Sequence, residues 1–555
     1  MTKQDHRTRS GGQILVSALA AQGVDRIFGV PGESALPVFD ALNDAAGIRF
    51  ITCRHEANAT HMAEADGKLT GRPGVSIVSR GPGAMHAAIG LHTAMQDSTP
   101  LVLLIGQVPR DHRGREAFQE IDYRRVFASM AKWVTEIDDP ASIPEAVARA
   151  FHTATQGRPG PVVLCLPEDI LDAHSDVADP PRYRLAVSAP SAAAMAELRT
   201  HLARAQRPLV IAGGDGWTEQ ARAQLARFLE ANDLPMLAGF RSQSILDNRD
   251  PHYCGDLSLG SNPAVGERVR NADLLLVIGD RLGDVTTQHY TLLDTPRPKQ
   301  TLIHVYPGAE ELGRVYQADL SIVASSNAFV AALAEMPAVD AGSRAAWRSD
   351  ARQVYERYRI PPQSALDMDM AQVITHLRQA LPDDAIVTNG AGNYTIWLHR
   401  FFEYRALGSQ LAPRSGSMGY GLPAAIAAKL RHPDRPVVAL AGDGCFMMAS
   451  PDFATAVQQQ LGIVVIVANN GTYGSIRMHQ ERHFPGRPNG TELTNPDFAA
   501  LAKSYGVHGE TVQRHADFPA ALQRALAARG PAIIELQLDQ KQLTPTMRIK
   551  DTASA

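Results

Sequence analysis

An aspartate between two glycines, Gly442-Asp443-Gly444, closes an apolar run at 436–441. One strand–helix–strand length further on, a second apolar run at 463–468 ends in Asn469-Asn470-Gly471-Thr472. Parallel neighbouring strands would carry the carboxylate and the second asparagine to one carboxyl edge of a sheet, where open α/β sheets bind their ligands. These residue types suit a hard cation. Mg2+ takes about six oxygen ligands and usually keeps phosphate oxygens and a water among them. Asp443 offers an anionic oxygen, Asn470 a neutral amide oxygen and Thr472 a backbone carbonyl. Two diphosphate oxygens and a water complete the shell. The glycines beside Asp443 let backbone approach closely. Either motif alone suits a tight turn. The pair at this spacing points to a metal–diphosphate site.

The rest of the chain is patterned to build such edges. Short runs rich in Val, Ile and Leu, at 75–78, 101–105, 162–166, 209–212, 274–278 and 302–305, alternate with Ala-rich amphipathic stretches. Unbroken runs of that length suit parallel strands buried on both faces, and the alternation makes the class α/β. A chain of 555 residues outgrows one core, so about three domains are expected. Two stretches read as linkers: about 175–190, dense in proline and polar residues, and about 337–362, charged with few apolar residues. They divide the chain into 10–175, 190–335 and 362–545. The closing TMRIKDTASA reads as a tail.

Composition excludes several classes of function. With 54 Lys+Arg against 58 Asp+Glu there is no basic footprint, and 6% aromatics give no stacking platform, so no nucleic-acid partner is expected. The four cysteines are scattered without a CxxC pair, which argues against a disulfide scaffold or zinc site and fits a reducing cytoplasm. No apolar run nears the roughly 20 residues of a membrane span, and no secretory signal is expected at the N-terminus.

The GDG and NN pair, with further motifs, resembles the thiamine-diphosphate enzymes of the acetohydroxyacid synthase, pyruvate oxidase and benzoylformate decarboxylase group. The likeness covers nearly the whole chain. Phe28-Gly29-Val30-Pro31-Gly32 resembles the first active-site loop, Arg54-His55-Glu56 the segment with the family's glutamate, and Gly81-Pro82-Gly83-Ala84 its turn before a helix. Ala117-Phe118-Gln119-Glu120, Lys132 and Asn495-Pro496-Asp497-Phe498 are shared with acetohydroxyacid synthases. So is Ser417-Met418-Gly419-Tyr420, their segment under the bent cofactor. The resemblance implies three doubly wound parallel-sheet domains: pyrimidine-binding, middle and diphosphate-binding. It implies thiamine diphosphate and Mg2+ held by Pro31, Gly32, Glu56, Gly392, Asn393, Ser417, Met418, Gly442, Asp443, Gly444, Asn470, Thr472, Tyr473 and Gly474. Glu56 would favour the imino form of the aminopyrimidine, which is proton-transfer work for a positioned carboxylate. Met418 would wedge beneath the two rings. Glu33, Arg80, Phe118, Gln119, Lys132 and His479 would lie on the substrate side. The glutamate and the diphosphate site would come from different subunits, which implies a homodimer or homotetramer.

The activity implied is decarboxylation of a pyruvate-like 2-oxo acid followed by carboligation, as in acetolactate synthases of branched-chain amino acid biosynthesis. Decarboxylation resembling benzoylformate decarboxylase, and a 2-hydroxyacyl-CoA lyase, are the alternatives within the family. Glu33 and His479 depart from the synthase pattern, which has Gly and Trp there, and leave the second substrate open. His86 is expected as a satisfied structural histidine. Two glycine turns, Gly213-Gly214-Asp215-Gly216 and Gly279-Asp280-Arg281-Leu282-Gly283-Asp284, leave open whether FAD binds the middle domain. A nicotinamide dehydrogenase is disfavoured, because Met447 stands where the third glycine of GxGxxG belongs.

Overall fold

A computed structural model describes residues 8–339, 342 and 344–549. The chain forms two compact units. The first runs to Ala186 and takes in Ile426–Arg431 and Ala449–Thr455; the second holds the remainder. The first unit contains one six-stranded sheet and the second contains two. All pairings within them are parallel, so the expected α/β class holds.

The first sheet uses β1 (Arg26–Gly29), β2 (Arg49–Thr52), β3 (Gly74–Val78), β4 (Leu101–Gln107), β5 (Trp133–Glu136) and β6 (Pro161–Pro167). The second uses β7 (Pro208–Ala212), β8 (Met236–Ala238), β9 (Tyr253–Asp256), β10 (Leu274–Ile278), β11 (Thr301–Tyr306) and β12 (Leu320–Val323). The third uses β13 (Ile386–Asn389), β14 (Gln410–Leu411), β15 (Val437–Gly442), β16 (Ile463–Asn469), β17 (His508–Val512) and β18 (Ala532–Gln537). The apolar runs become the central strands. Every residue of β4 and β6 is buried, because helices cover both faces of the sheet. The period of two shows in the second sheet. Val210, Ala212, Leu274, Leu276 and Ile278 enter one core, while Leu209, Ile211, Leu275 and Val277 enter another on the opposite face.

Strand order fixes where ligands can sit. The first sheet runs β2-β1-β3-β4-β6-β5 and the third β14-β13-β15-β16-β18-β17, the same order twice. The second runs β9-β8-β7-β10-β11-β12. Order reverses between β1 and β3, between β13 and β15, and between β7 and β10. At such points successive connections leave in opposite directions and open a crevice beyond the carboxyl ends. Two helices matter for the first crevice. α1 (Glu56–Thr70) follows β2 and α2 (Pro82–Asp97) follows β3.

Two stretches are more ordered than their composition suggests. Within 337–362 lies α3 (Arg344–Tyr358), fixed by polar groups as much as by apolar ones. Arg344 donates to the Leu202 and Ala205 carbonyls, and the Trp347 indole N–H donates to Pro208 O at 2.9 Å. At the C-terminus Met547–Arg548 pairs with Gln542–Thr544 as a hairpin, while the last six residues of the chain lie outside the described residues. Among the described residues no helix is long and apolar enough to cross a membrane.

Candidate active site

The crevice between β13 and β15 is a cavity of about 230 Å3. Gly392, Asn393, Met418, Gly442, Asp443, Gly444, Asn470, Thr472, Tyr473 and Gly474 all line it. Asp443 sits where β15 gives way to a short helix and is 3% exposed. One carboxylate oxygen accepts the Gly444 N–H at 2.9 Å. The other accepts the Gly471 N–H at 2.9 Å and the Asn495 amide at 2.7 Å. Burial pushes this carboxyl above the usual aspartate range, and those donors oppose the shift. The donors are all neutral, so a buried negative charge is solvated but not balanced. A divalent cation is the natural complement of such a group.

The glycines are required by space. A Cβ on Gly444 would fall 2.5 Å from the Tyr473 ring. Gly471 turns the chain with φ +64°, a conformation that favours glycine. Asn393 ties the wall after β13 to the start of α4 (Gly474–His483): its amide donates to Gly474 O at 3.3 Å, and its carbonyl accepts from Ser475 Oγ at 2.9 Å. Tyr394 and Cys445 join three loops. The Tyr394 hydroxyl accepts the Gly390 N–H and donates to Cys445 Sγ, which also accepts the Gly419 N–H beside Met418. Ser417 precedes Met418 and its hydroxyl donates to the Met418 carbonyl at 3.2 Å. The Thr472 carbonyl accepts the Gly474 N–H, which leaves it one lone pair for another partner.

The first unit presents a second cluster at the edge between β1 and β3. Glu56 opens α1, whose first turn is capped by His55: its Nδ1 accepts the Ala57 N–H at 3.2 Å. Asp452 anchors the turn before it. This fully buried carboxylate accepts the Arg54 N–H at 2.8 Å, the Asn58 amide at 2.7 Å and the Thr455 hydroxyl at 2.8 Å. His86 on α2 finds its partner in Glu56 itself, Nδ1 to Oε2 at 2.9 Å, and stacks on His55 with ring centres 4.6 Å apart. Gly83 and Gly32 keep the edge narrow. A Cβ on Gly83 would lie 3.3 Å from Glu56 Oε1, and one on Gly32 would lie 2.5 Å from Ser79 Cβ.

Beside it, buried Arg80 bridges two carboxylates, Glu33 at 3.1 Å and Glu168. Glu33 is thus an ion-pair partner, placed directly after Pro31 and Gly32. Gln119 packs on Gly81 with a left-handed φ of +66°, and Phe118 beside it is 74% exposed.

One expected substrate-side residue is placed elsewhere. Lys132 precedes β5, and its backbone N–H donates to Pro161 O at the amino end of β6. Its ammonium donates to Gln156 O at 2.5 Å. That is the opposite edge of the sheet from Glu33 and Arg80, because β5 and β6 run parallel to β3. His479 is exposed on α4, one turn after Ile476, which is also exposed and lines the cavity, so the two share a face of the helix. Asn495, Asp452 and the Tyr394–Cys445 pair went unassigned on the sequence. Only Asn495 had a signal there, as part of a shared stretch.

The chain resembles known proteins over nearly its whole length. Residues 9–126, 195–333 and 390–536 match the N-terminal TPP binding, central and C-terminal TPP binding domains of a family described as thiamine pyrophosphate enzyme. The chain is 32% identical over 537 residues to acetolactate synthase isozyme 2 large subunit of Escherichia coli (strain K12), covering 96% of each. It is 33% identical over 536 residues to an acetolactate synthase large subunit of Parasynechococcus marenigrum, covering 93% of this chain and 86% of the relative. A probable acetolactate synthase large subunit of Methanocaldococcus jannaschii is 31% identical over 559 residues, 96% of this chain and 93% of the relative.

Proposed function

The chain belongs to the thiamine pyrophosphate enzymes, and on that premise we propose that it decarboxylates a pyruvate-like 2-oxo acid and ligates the remaining carbon unit to a second carbonyl compound, as an acetolactate synthase does. The observation that carries the reading is Asp443, a buried carboxylate with neutral donors only, on the wall of a glycine-rimmed cavity at a topological switch point. Bound thiamine diphosphate supplies the carbon nucleophile and the electron sink that a 2-oxo acid needs to lose CO2.

The chain's own residues have distinct tasks. Asp443, Asn470 and the Thr472 carbonyl would hold Mg2+ and through it the diphosphate. Asn495 keeps Asp443 aimed. Gly392, Asn393, Gly442, Gly444, Tyr473 and Gly474 wall the cavity, and Met418, with Ser417 beside it, would pack beneath the rings. Glu56 would hold and return a proton at a pyrimidine ring nitrogen, with Pro31 and Gly32 on the same edge. Glu33, Arg80, Phe118, Gln119 and His479 would face the substrate. By the family resemblance the glutamate and the diphosphate site come from different subunits, so a homodimer is the minimum and a homotetramer the larger form. The domain limits 10–175, 190–335 and 362–545 each enclose one sheet. Acetolactate as product would place the reaction in branched-chain amino acid biosynthesis. Four buried free cysteines suit a cytoplasmic location.

The test is to supply the purified protein with thiamine diphosphate, Mg2+ and pyruvate and to identify products by mass spectrometry. Acetolactate and CO2 are expected; acetaldehyde with CO2 would replace ligation by simple decarboxylation. Glu56→Gln should slow turnover by about 100-fold or more, as loss of a positioned proton-transfer group does, with the cofactor still bound.

A further inference from the structure

The crevice between β7 and β10 is the position at which an order like that of the middle sheet takes a dinucleotide, and FAD is the group the family resemblance raised for it. The residues there do not fit such a ligand. Three of the five glycines in its two loops, Gly213, Gly214 and Gly279, face protein atoms, while Gly216 and Gly283 have open space. A Cβ on Gly213 would meet Asp280 Oδ2 at 2.5 Å, one on Gly214 would meet Gly279 O at 2.6 Å, and one on Gly279 would meet Ser326 Oγ at 2.5 Å. The Trp217 indole closes on the Gly213 carbonyl at 2.9 Å. The end of β8, where a ribose-binding acid would stand, is Gly239-Phe240. Two carboxylates, Asp215 and buried Asp280, occupy the place where a pyrophosphate would bring more negative charge.

What fills the crevice is an arginine from the diphosphate-binding part of the same unit. Arg414 makes a forked ion pair with Asp215. It also donates to Phe240 O and Ser242 Oγ, each at 3.0 Å, and to Gly214 O and Arg241 O, each at 3.3 Å. The fork matches a planar guanidinium, and a lysine cannot reproduce it. A second arginine crosses in the other direction. Arg241, 4% exposed and held at φ +56°, donates to Gly390 O at 2.8 Å and to Pro413 O. Gly390 begins the wall that continues to Gly392 and Asn393. Arg414 lies two residues before Gly416 and four before Met418, both on the cavity lining. Both walls are therefore tied back to the middle sheet.

We propose that the β7–β10 crevice is a socket for Arg414 and takes neither flavin nor another dinucleotide, and that Arg414 seated there is a positioning residue setting the 416–418 wall of the thiamine diphosphate cavity. The second half rests on the reading of that cavity given above.

The test has two arms on the full-length protein. In the first, the protein is denatured and its flavin measured by fluorescence, then native protein is dialysed against FAD. Expected is no flavin in either case; stoichiometric FAD overturns the socket. In the second, thiamine diphosphate affinity is measured by calorimetry with Mg2+, and the near-ultraviolet circular dichroism of the bound cofactor is recorded, for the wild type, Arg414→Gln and Arg414→Lys. A misplaced wall should weaken Arg414→Gln by about 10-fold and change its dichroic signature, with Arg414→Lys between it and the wild type. Asp215→Asn, which keeps the backbone bonds of Arg414, serves if Arg414→Gln fails to fold and should weaken binding by a few-fold. Unchanged affinity and signature overturn the positioning role. A wild type that takes no thiamine diphosphate overturns that half along with the reading beneath it, while flavin content still judges the socket.

Discussion

The second unit carries two crevices built by one rule, and they have opposite contents. Each opens where strand order reverses, each is rimmed by glycines, and each holds aspartate. Between β13 and β15 the acid is met by neutral donors and about 230 Å3 is left open. Between β7 and β10 an arginine pairs with Asp215 and places its charge near Asp280, and protein atoms crowd Gly213, Gly214 and Gly279. The difference lies in charge balance and filled volume, not in the glycine pattern. A glycine turn after a strand says that something approaches closely, and the approaching group decides whether the place is a site or a joint.

The largest expected effect separates the two acids. Asp443→Ala should abolish measurable binding of thiamine diphosphate with Mg2+, a loss of about 100-fold or more, whereas Asp215→Ala should leave binding within about 10-fold. Equal losses in a calorimetric titration would erase the distinction between site and socket.

Adding a β-carbon comes next. In Gly444→Ala the new atom meets the Tyr473 ring, which should cost about 1–3 kcal/mol in stability or cofactor affinity. Gly283, on the loop after β10, has open space around it, and Gly283→Ala should stay within about 0.5 kcal/mol. Melting curves with and without cofactor compare the two, and a neutral Gly444→Ala would mean that Tyr473 yields easily.

The smallest effect is on pH dependence. Asp443 and Asp280 both titrate above the usual 3.8, because burial disfavours their charged forms. The native apoprotein therefore binds more protons than the unfolded chain between 3.8 and the raised values. Each group's contribution is complete below that window and is lost as pH rises through it. Mg2+ binds the ionised Asp443, so adding the ion with thiamine diphosphate should restore stability above the window. Asp443→Asn should remove that restoration, and Asp280→Asn should leave it intact. A restoration that survives in Asp443→Asn would place the cation elsewhere.

The legible parts of the molecule were those in which chemistry follows the chain. The GDG turn and the NNG turn each end a strand, so neighbouring parallel strands bring them together as the spacing required. The apolar runs became strands for the same local reason. What stayed hidden depends on distant partners. Asn495 reaches Asp443 and Asp452 anchors the turn before Glu56, from points far along the chain. Lys132 shows the limit of matching by position, since a residue type in register says nothing about which edge of the sheet it serves. Composition misled at 344–358, where arginines that suggest a solvated linker spend their donors on main-chain carbonyls at the end of the 192–204 helix and on β9.

The Arg414 clasp also bears on how such a protein can change over generations. Remove the arginine alone, and Asp215 loses its ion-pair partner while buried Asp280 loses a nearby positive charge; remove Asp215 alone, and the guanidinium loses the carboxylate it forks onto. Each single step is disfavoured by the residues that remain, which is epistasis in its physical form. A lineage with this clasp would have to alter several positions together before the crevice could open again. The joint therefore acts as a ratchet, and the history of the middle sheet can be traced in relatives by asking which of the three residues are present together.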